Sequence, residues 1–413
     1  MRNWWIIILI LILLISGCSR EKEDEAVPSE MKSVSFEERT LPRDFSIPDT
    51  APADRFIEQL TVEEKIGQLF IFGFEGNQFS PELNAMIQQH HIGGLILLGK
   101  NVSPPLDIIK ILNDAKAANQ DNQIPLFLSV DEEGGRVSRL PKGIRKLPAA
   151  EKIGKQNDPQ LNYRTGEYLA ELLHAFGYNM NYAPVMDVRS NPSNPVIGDR
   201  AYATNAHTVA DLGIETMNGM KDNGVIPVIK HFPGHGDTSV DSHESLPVVD
   251  KGLEELARTE FMPFQQAIDA GADVVMVAHV VYPALDPKWP ASMSGRVIND
   301  LLREQMGFQG VVITDDLTMG AITNDHSVSE AALQSFLAGS DLLLIAGDYD
   351  DQLQTIQLFS QAIASGVISE ERLNDSVRRI LTLKEAYGLE DKSVESFDNR
   401  SINDRFTELI RNR

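Results

Sequence analysis

The 413-residue chain carries 37 Lys+Arg against 60 Asp+Glu, a formal charge of −23, with 42% hydrophobic and 23% charged residues. That composition is globular and long enough for one large core or two smaller ones, and its acidity argues against nucleic acid and against adhesion to an anionic membrane by charge. The single cysteine excludes an internal disulfide framework and any multi-thiolate metal cluster.

The chain opens with Arg2, the apolar run Trp4–Ile15 and then Ser16-Gly17-Cys18. The run is short of the roughly 20 residues a spanning helix needs, and it matches the apolar region of a signal peptide. Ile15-Ser16-Gly17-Cys18 resembles a bacterial lipobox, so residues 1–17 are expected to be a lipoprotein signal peptide and Cys18 the lipidated mature N-terminus. The alternative is an uncleaved anchor. Both place the remainder outside the cytoplasm on the cell membrane; in the lipoprotein reading it is attached through Cys18 alone. Residues 18–51, rich in Glu, Lys, Ser and Pro without an apolar period, read as a flexible tether.

From Pro52 short apolar runs alternate with amphipathic stretches. The runs are Gln68–Phe74, Gly94–Leu98, Leu126–Val130, Asn179–Val188, Ile226–Ile229, Val274–Ala278, Val311–Thr314 and Asp341–Ala346. Most are continuously apolar, as parallel strands buried on both faces are. Helical patterns lie between them at Leu161–Phe176, Thr208–Met220, Leu253–Ala270 and Val297–Met306, and Gly177, Gly224 and Gly271 supply C-terminal stops. The alternation predicts an α/β fold, a single (β/α)8 TIM-type barrel over residues 52–389 with no second domain. A doubly wound open sheet is the competitor, but no G-x-G-x-x-G follows the first strand. A last helix around Leu373–Leu383 would close the outer ring, leaving 390–413 as a C-terminal tail.

In such a barrel functional side chains gather where the strands end. Asp131 follows the third run, Asp187 lies near the end of the fourth, and Arg200 stands in the loop beyond. The fifth run leads into Lys230-His231-Phe232-Pro233-Gly234-His235-Gly236-Asp237-Thr238 and on to Asp241-Ser242-His243; His279 follows the sixth, Asp315 and Asp316 the seventh. Five strands thus deliver ionisable groups to one end. Asp315, held rigidly at the barrel mouth, suits a nucleophile, while Asp316 points the other way and suits a supporting role. Asp241 beside His243 fixes the imidazole tautomer and makes it a usable general acid. His231, His235 and His243 with Asp237 or Asp241 could be read as a zinc site, but the spacing fits no helical ligand pair and the Pro and glycines indicate loop, so neither metal nor cofactor is expected.

Lys230–His243 (K-H-F-P-G-H-G-D-T-x-x-D-S-H) resembles the signature of the bacterial β-N-acetylglucosaminidases of glycoside hydrolase family 3. Leu301–Asp316 is similar to that family's active-site pattern, in which the aspartate directly after Ser/Thr is the nucleophile. With Asp131–Arg139 (D-E-E-G-G-R-V-S-R) and Ile197–Tyr202 (I-G-D-R-A-Y), the resemblance spans roughly residues 55 to 388. It implies a retaining exo-acting enzyme that removes terminal GlcNAc from cell-wall (peptidoglycan-derived) or related oligosaccharides through a covalent glycosyl-enzyme. Asp315 would be nucleophile and His243, oriented by Asp241, acid/base, a dyad standing where retaining sites use a second carboxyl about 5–5.5 Å away. Asp131, Arg139, Arg200, Lys230 and His231 would contact sugar hydroxyls. Two departures are expected: Asp199 stands where many members have Glu, and the second domain of many relatives is missing. Alternatives are a phosphorylase using the same site, a non-catalytic sugar-binding lipoprotein and a metal-dependent hydrolase.

Overall fold

The computed structural model describes residues 56–411. The signal peptide, Cys18 and the tether lie outside those residues. No described helix is long and apolar enough to cross a membrane.

Eight parallel strands form the core: β1 Phe70–Phe72, β2 Gly94–Leu97, β3 Phe127–Val130, β4 Met180–Asn181, β5 Ile226–Phe232, β6 Val274–Val277, β7 Val311–Thr314 and β8 Leu343–Ile345. Each pairs with its sequence neighbour, and β1 also pairs with β8. The seam between β7 and β8 is joined by the Ile313–Leu342 bridge, with Leu342 N–H on Val312 O at 3.0 Å and Thr314 N–H on Leu342 O at 3.2 Å. A (β/α)8 barrel results, as the alternating runs predict. Every strand residue is buried, which explains why the runs do not alternate in polarity.

Local chemistry sets the helix limits. Asp158 caps the helix Pro159–Phe176, Pro159 sits where a missing N–H costs nothing, and Gly177 ends it at φ 98°. The pattern over Leu253–Ala270 divides into helices Leu253–Arg258 and Phe261–Asp269. Pro263 is the cause: it cannot donate within a continuous helix, but it fits in the first turn of a new one. The stretch Arg296–Gln305 winds as a π-helix, ended by Met306 N–H on Leu301 O at 2.9 Å. The fourth strand is far shorter than its apolar run, because Pro184 lacks an N–H; pairing resumes at the Val185–Lys230 bridge. Within residues 390–413 lies the helix Asn399–Arg411, which buries Ile402, Phe406 and Leu409 and sets Phe406 edge-on to Tyr168 at 5.9 Å.

Candidate active site

Asp131, Arg139, Arg200, Lys230, His231, His243 and Asp315 line one cavity of about 300 Å3 at the C-terminal ends of the strands, together with His235, Ser242 and Asp316. Asp241 is not part of its wall but stands behind His243. A second cavity, of about 430 Å3, lies among Phe56, Ile124, Pro125, Leu381, Lys384 and Leu389 and holds none of these residues.

The β3 end turns back sharply. Gly134 and Gly135 adopt φ of 84° and 54°, a region costly for residues with a Cβ, and Val137 N–H closes the turn on Gly134 O at 3.1 Å. Alternation then aims Asp131 and Glu133 inward and Glu132 outward. Lys230 Nζ bridges the inward pair, 2.6 Å from Asp131 Oδ1 and 2.7 Å from Glu133 Oε1. Arg200 grips Glu133 with two bonds, Nε to Oε2 at 2.9 Å and Nη2 to Oε1 at 2.8 Å. Burial raises the Glu133 carboxyl, yet the Arg200 and Lys230 cations outweigh it and hold Glu133 far below the ordinary range. Burial likewise works against charged Lys230, but Asp131 and Glu133 keep its pKa above the usual value.

His231 extends this network. Its Nδ1 donates to Asp187 Oδ2 at 2.6 Å, and Arg200 Nη2 donates to its Nε2 at 3.2 Å, which assigns the Nδ1–H tautomer. Asp187, fully buried, also accepts the backbone N–H groups of His231 at 3.3 Å and His235 at 2.6 Å. His235 spends both ring nitrogens on hydroxyls, Thr238 at 3.0 Å and Ser242 at 3.1 Å; burial lowers its pKa to about 4, so it is neutral. It ties the end of β5 to the loop bearing His243. Among the described residues no three His, Cys, Asp or Glu side chains are grouped to hold a metal ion.

Asp315 stands one residue beyond β7, with its N–H on Val277 O at 3.0 Å. Burial raises its carboxyl, but the facing His231 and His279 rings, the Asp316 N–H at 2.9 Å and the Lys230 cation lower it to about 2. It is therefore an anion at neutral pH. Asp316 is taken up by its own turn, accepting Thr318 N–H at 3.0 Å, Thr318 Oγ1 at 2.7 Å and Ala346 N–H at 3.0 Å. His279, fully buried, bonds Ser292 Oγ at 2.7 Å and Asp316 O at 2.9 Å, leaving neither nitrogen for a ligand.

His243 lies on an exposed loop, its side chain 66% accessible. Asp241 Oδ1 accepts both its backbone N–H and its Nδ1–H at 2.9 Å. Burial is the largest single influence and raises Asp241, but the two His243 bonds and the nearby His243 and His235 rings together outweigh it and leave its pKa below the usual value. Nε2 has no partner among the described residues, so it is the nitrogen available for proton transfer. The loop is pinned to the chain following Asp315: Gly320 N–H reaches His243 O at 3.2 Å, Ala321 N–H reaches Ser242 O at 3.0 Å, and Asn324 Nδ2 reaches Glu244 O at 2.9 Å. Gly320 must be glycine, because a Cβ there would fall 2.6 Å from His243 O.

Sequence reasoning passed over Glu133 and gave Asp187 no role. Glu133 could have been found by alternation, two residues past Asp131, and Asp187 by its place near the end of the fourth run. Asp199, beside Arg200 in sequence, pairs with Arg136 at 3.1 Å instead.

A family profile described as Glycosyl hydrolase family 3 N terminal domain matches residues 61–383. The chain belongs to glycosyl hydrolase family 3. It is 35% identical over 329 residues to the Beta-hexosaminidase A of Pseudoalteromonas piscicida, covering 74% of this chain and 55% of that protein. It is 33% identical to a Beta-hexosaminidase of Nitrosomonas eutropha, covering 71% of this chain and 86% of that one. The chain thus spans little more than half of the first relative and most of the second. Among solved structures, a glycoside hydrolase family 3 beta-N-acetylglucosaminidase from Paenibacillus sp. str. FPU-7 superposes with a TM-score of 0.80 at 39% identity, covering 85% of this chain and 68% of that one.

Proposed function

We propose that this family member is a retaining exo-β-N-acetylglucosaminidase acting on GlcNAc-terminated cell-wall (peptidoglycan-derived) or related oligosaccharides. One observation carries the chemistry: an ionised, buried Asp315 and a His243 whose Nδ1 is committed to Asp241 line the same cavity. The names of the relatives support the sugar.

In the first step an Asp315 oxygen attacks the anomeric carbon as the bond to the glycosidic oxygen breaks. Doubly protonated His243 gives its Nε2 proton to that oxygen, and the aglycone leaves as an alcohol. In the second, neutral His243 takes a proton from water at Nε2, the hydroxide oxygen bonds to the anomeric carbon, and Asp315 departs as carboxylate. Two displacements restore the β configuration. Asp241 holds the Nδ1–H tautomer throughout, as an orienting carboxylate does in a triad.

Release of p-nitrophenol from the β-GlcNAc aryl glycoside tests the activity, with Asp315→Asn expected to lower kcat by at least about 10^3-fold. A fully active Asp315→Asn enzyme would refute the mechanism. In phosphate buffer the product should be GlcNAc; GlcNAc 1-phosphate would identify a phosphorylase, and binding without turnover a sugar-capture protein. We further propose that Cys18 is lipidated and holds the enzyme on the outer side of the cytoplasmic membrane. Cys18→Ser should then move the protein from the membrane fraction to the soluble fraction, and retention on membranes would reject the anchor.

A further inference from the structure

Glu132, between the two carboxylates that hold Lys230, faces the opposite way. It is 1% exposed and lies in the layer between barrel and helices, where a third, very small cavity of about 10 Å3 is walled by Ile108, Val130, Glu132, Arg139, Leu173 and Tyr178, among others. Its backbone is clamped to β4 by reciprocal 3.0 Å bonds with the Asn181 side chain. Oε2 accepts Arg139 N–H at 2.8 Å, and Oε1 has no partner. Arg139 is the complement: its Nε is buried without a partner, and it alone lines both the small cavity and the sugar cavity. A buried unpaired donor and a buried unpaired acceptor therefore belong to two residues that line the same small cavity behind the sugar-site wall, without being bonded to each other. Each costs about 1–3 kcal/mol while unmet.

We propose that Glu132 is a positioning residue: when sugar enters, its free Oε1 takes the free Arg139 Nε–H, a bond not made in the ligand-free structure, and so fixes the guanidinium plane with its terminal nitrogens toward the sugar. The inference rests on the proposed glycosidase reading. A guanidinium is planar, so one bond at Nε determines where both Nη groups point. The charged and titratable groups around Glu132 are Arg139, Glu133, Tyr168 and Tyr178, with the Ser138 hydroxyl beside it. Burial, only partly offset by the Arg139 N–H, Ser138 and the Arg139 charge, raises the carboxyl to about 7. The neutral acid thus gives way near neutral pH to the anion, the stronger acceptor for Nε–H.

The test is steady-state kinetics on p-nitrophenyl β-GlcNAc with calorimetric binding of GlcNAc. Glu132→Met should raise KM by about 10-fold with kcat held within about 3-fold. In an Arg139→Ala background the same change should add less than about 2-fold, because Glu132 then has nothing to position. Glu132→Gln, which keeps size and one acceptor, should match the wild-type KM near pH 6 and exceed it about 3-fold or more near pH 8. Additive KM effects, a loss in kcat alone, or a Glu132→Met KM equal to wild type would overturn the proposal. Should Glu132→Met not fold, the Glu132→Gln comparison decides, and a KM matching wild type at both pH values overturns it. An active wild type with unresponsive variants removes only this inference; a wild type that neither cleaves nor binds removes the functional reading too.

Discussion

The contact between Gly320 and the His243 loop offers a direct test of how the proposed acid/base and nucleophile are kept together. In Gly320→Ala the new Cβ would lie 2.6 Å from His243 O and 2.9 Å from Glu244 O. Ordinary C···O contacts are about 3.3–3.6 Å, so the loop carbonyl must retreat by roughly 0.7–1 Å. That displacement breaks Gly320 N–H to His243 O and strains Ala321 N–H to Ser242 O. At about 0.5–1.5 kcal/mol each, their loss loosens the loop by roughly 1–3 kcal/mol. A misplacement near 1 Å costs about 100-fold where proton transfer limits the step. The assay compares kcat/KM, which reports the glycosylation step, for a GlcNAc disaccharide and for the 2,4-dinitrophenyl glycoside, whose leaving group needs no proton. The disaccharide value is expected to fall about 10- to 100-fold and the dinitrophenyl value less than about 3-fold. Equal losses on both substrates, or none on either, would refute the idea that this glycine serves the acid.

Three further outcomes follow from the buried charges. Lys230→Met strands Asp131 and Glu133 without their shared cation, and urea unfolding should show a loss of about 3–5 kcal/mol; a loss below about 1 kcal/mol would mean that Arg200 alone suffices. Asp187→Ala removes the acceptor of three N–H groups on His231 and His235, and a loss of about 2–5 kcal/mol is expected by the same measurement. Glu132 affects stability with a definite sign: its carboxyl is raised from 4.5 to about 7 in the folded state. The folded chain therefore keeps a proton that the unfolded chain releases, and stability falls as pH rises across that window. Glu132→Gln should exceed wild type by on the order of 3 kcal/mol near pH 8 and by nothing near pH 4. A pH-independent difference would show that Glu132 is not raised.

The barrel was legible because burial on both faces leaves a continuous apolar run, and each of the eight runs overlaps a strand. Proline explains the misfit at the fourth, where Pro184 stops the ladder early, and Pro263 explains the divided helix. The sugar-side residues were legible as types at strand ends, but not as partners. Nothing local marks Glu133 as the hub joining Lys230 and Arg200, since those contacts cross about 67 to 97 residues of chain. Glu132 was hidden differently: alternation turns it away from Asp131 and Glu133, but nothing in D-E-E shows that the residue turned away is buried.

The two ends of the cavity differ in stiffness. Lys230, Glu133, Arg200, His231 and Asp187 are locked together before any glycan enters, whereas His243 stands largely in solvent on a loop fastened by a few backbone bonds. In the proposed glycosidase this would give a hard mould for the sugar held at Asp315 and a pliant rim for the aglycone, and so strictness about the terminal residue. Under that proposal the same build should tolerate varied aglycones.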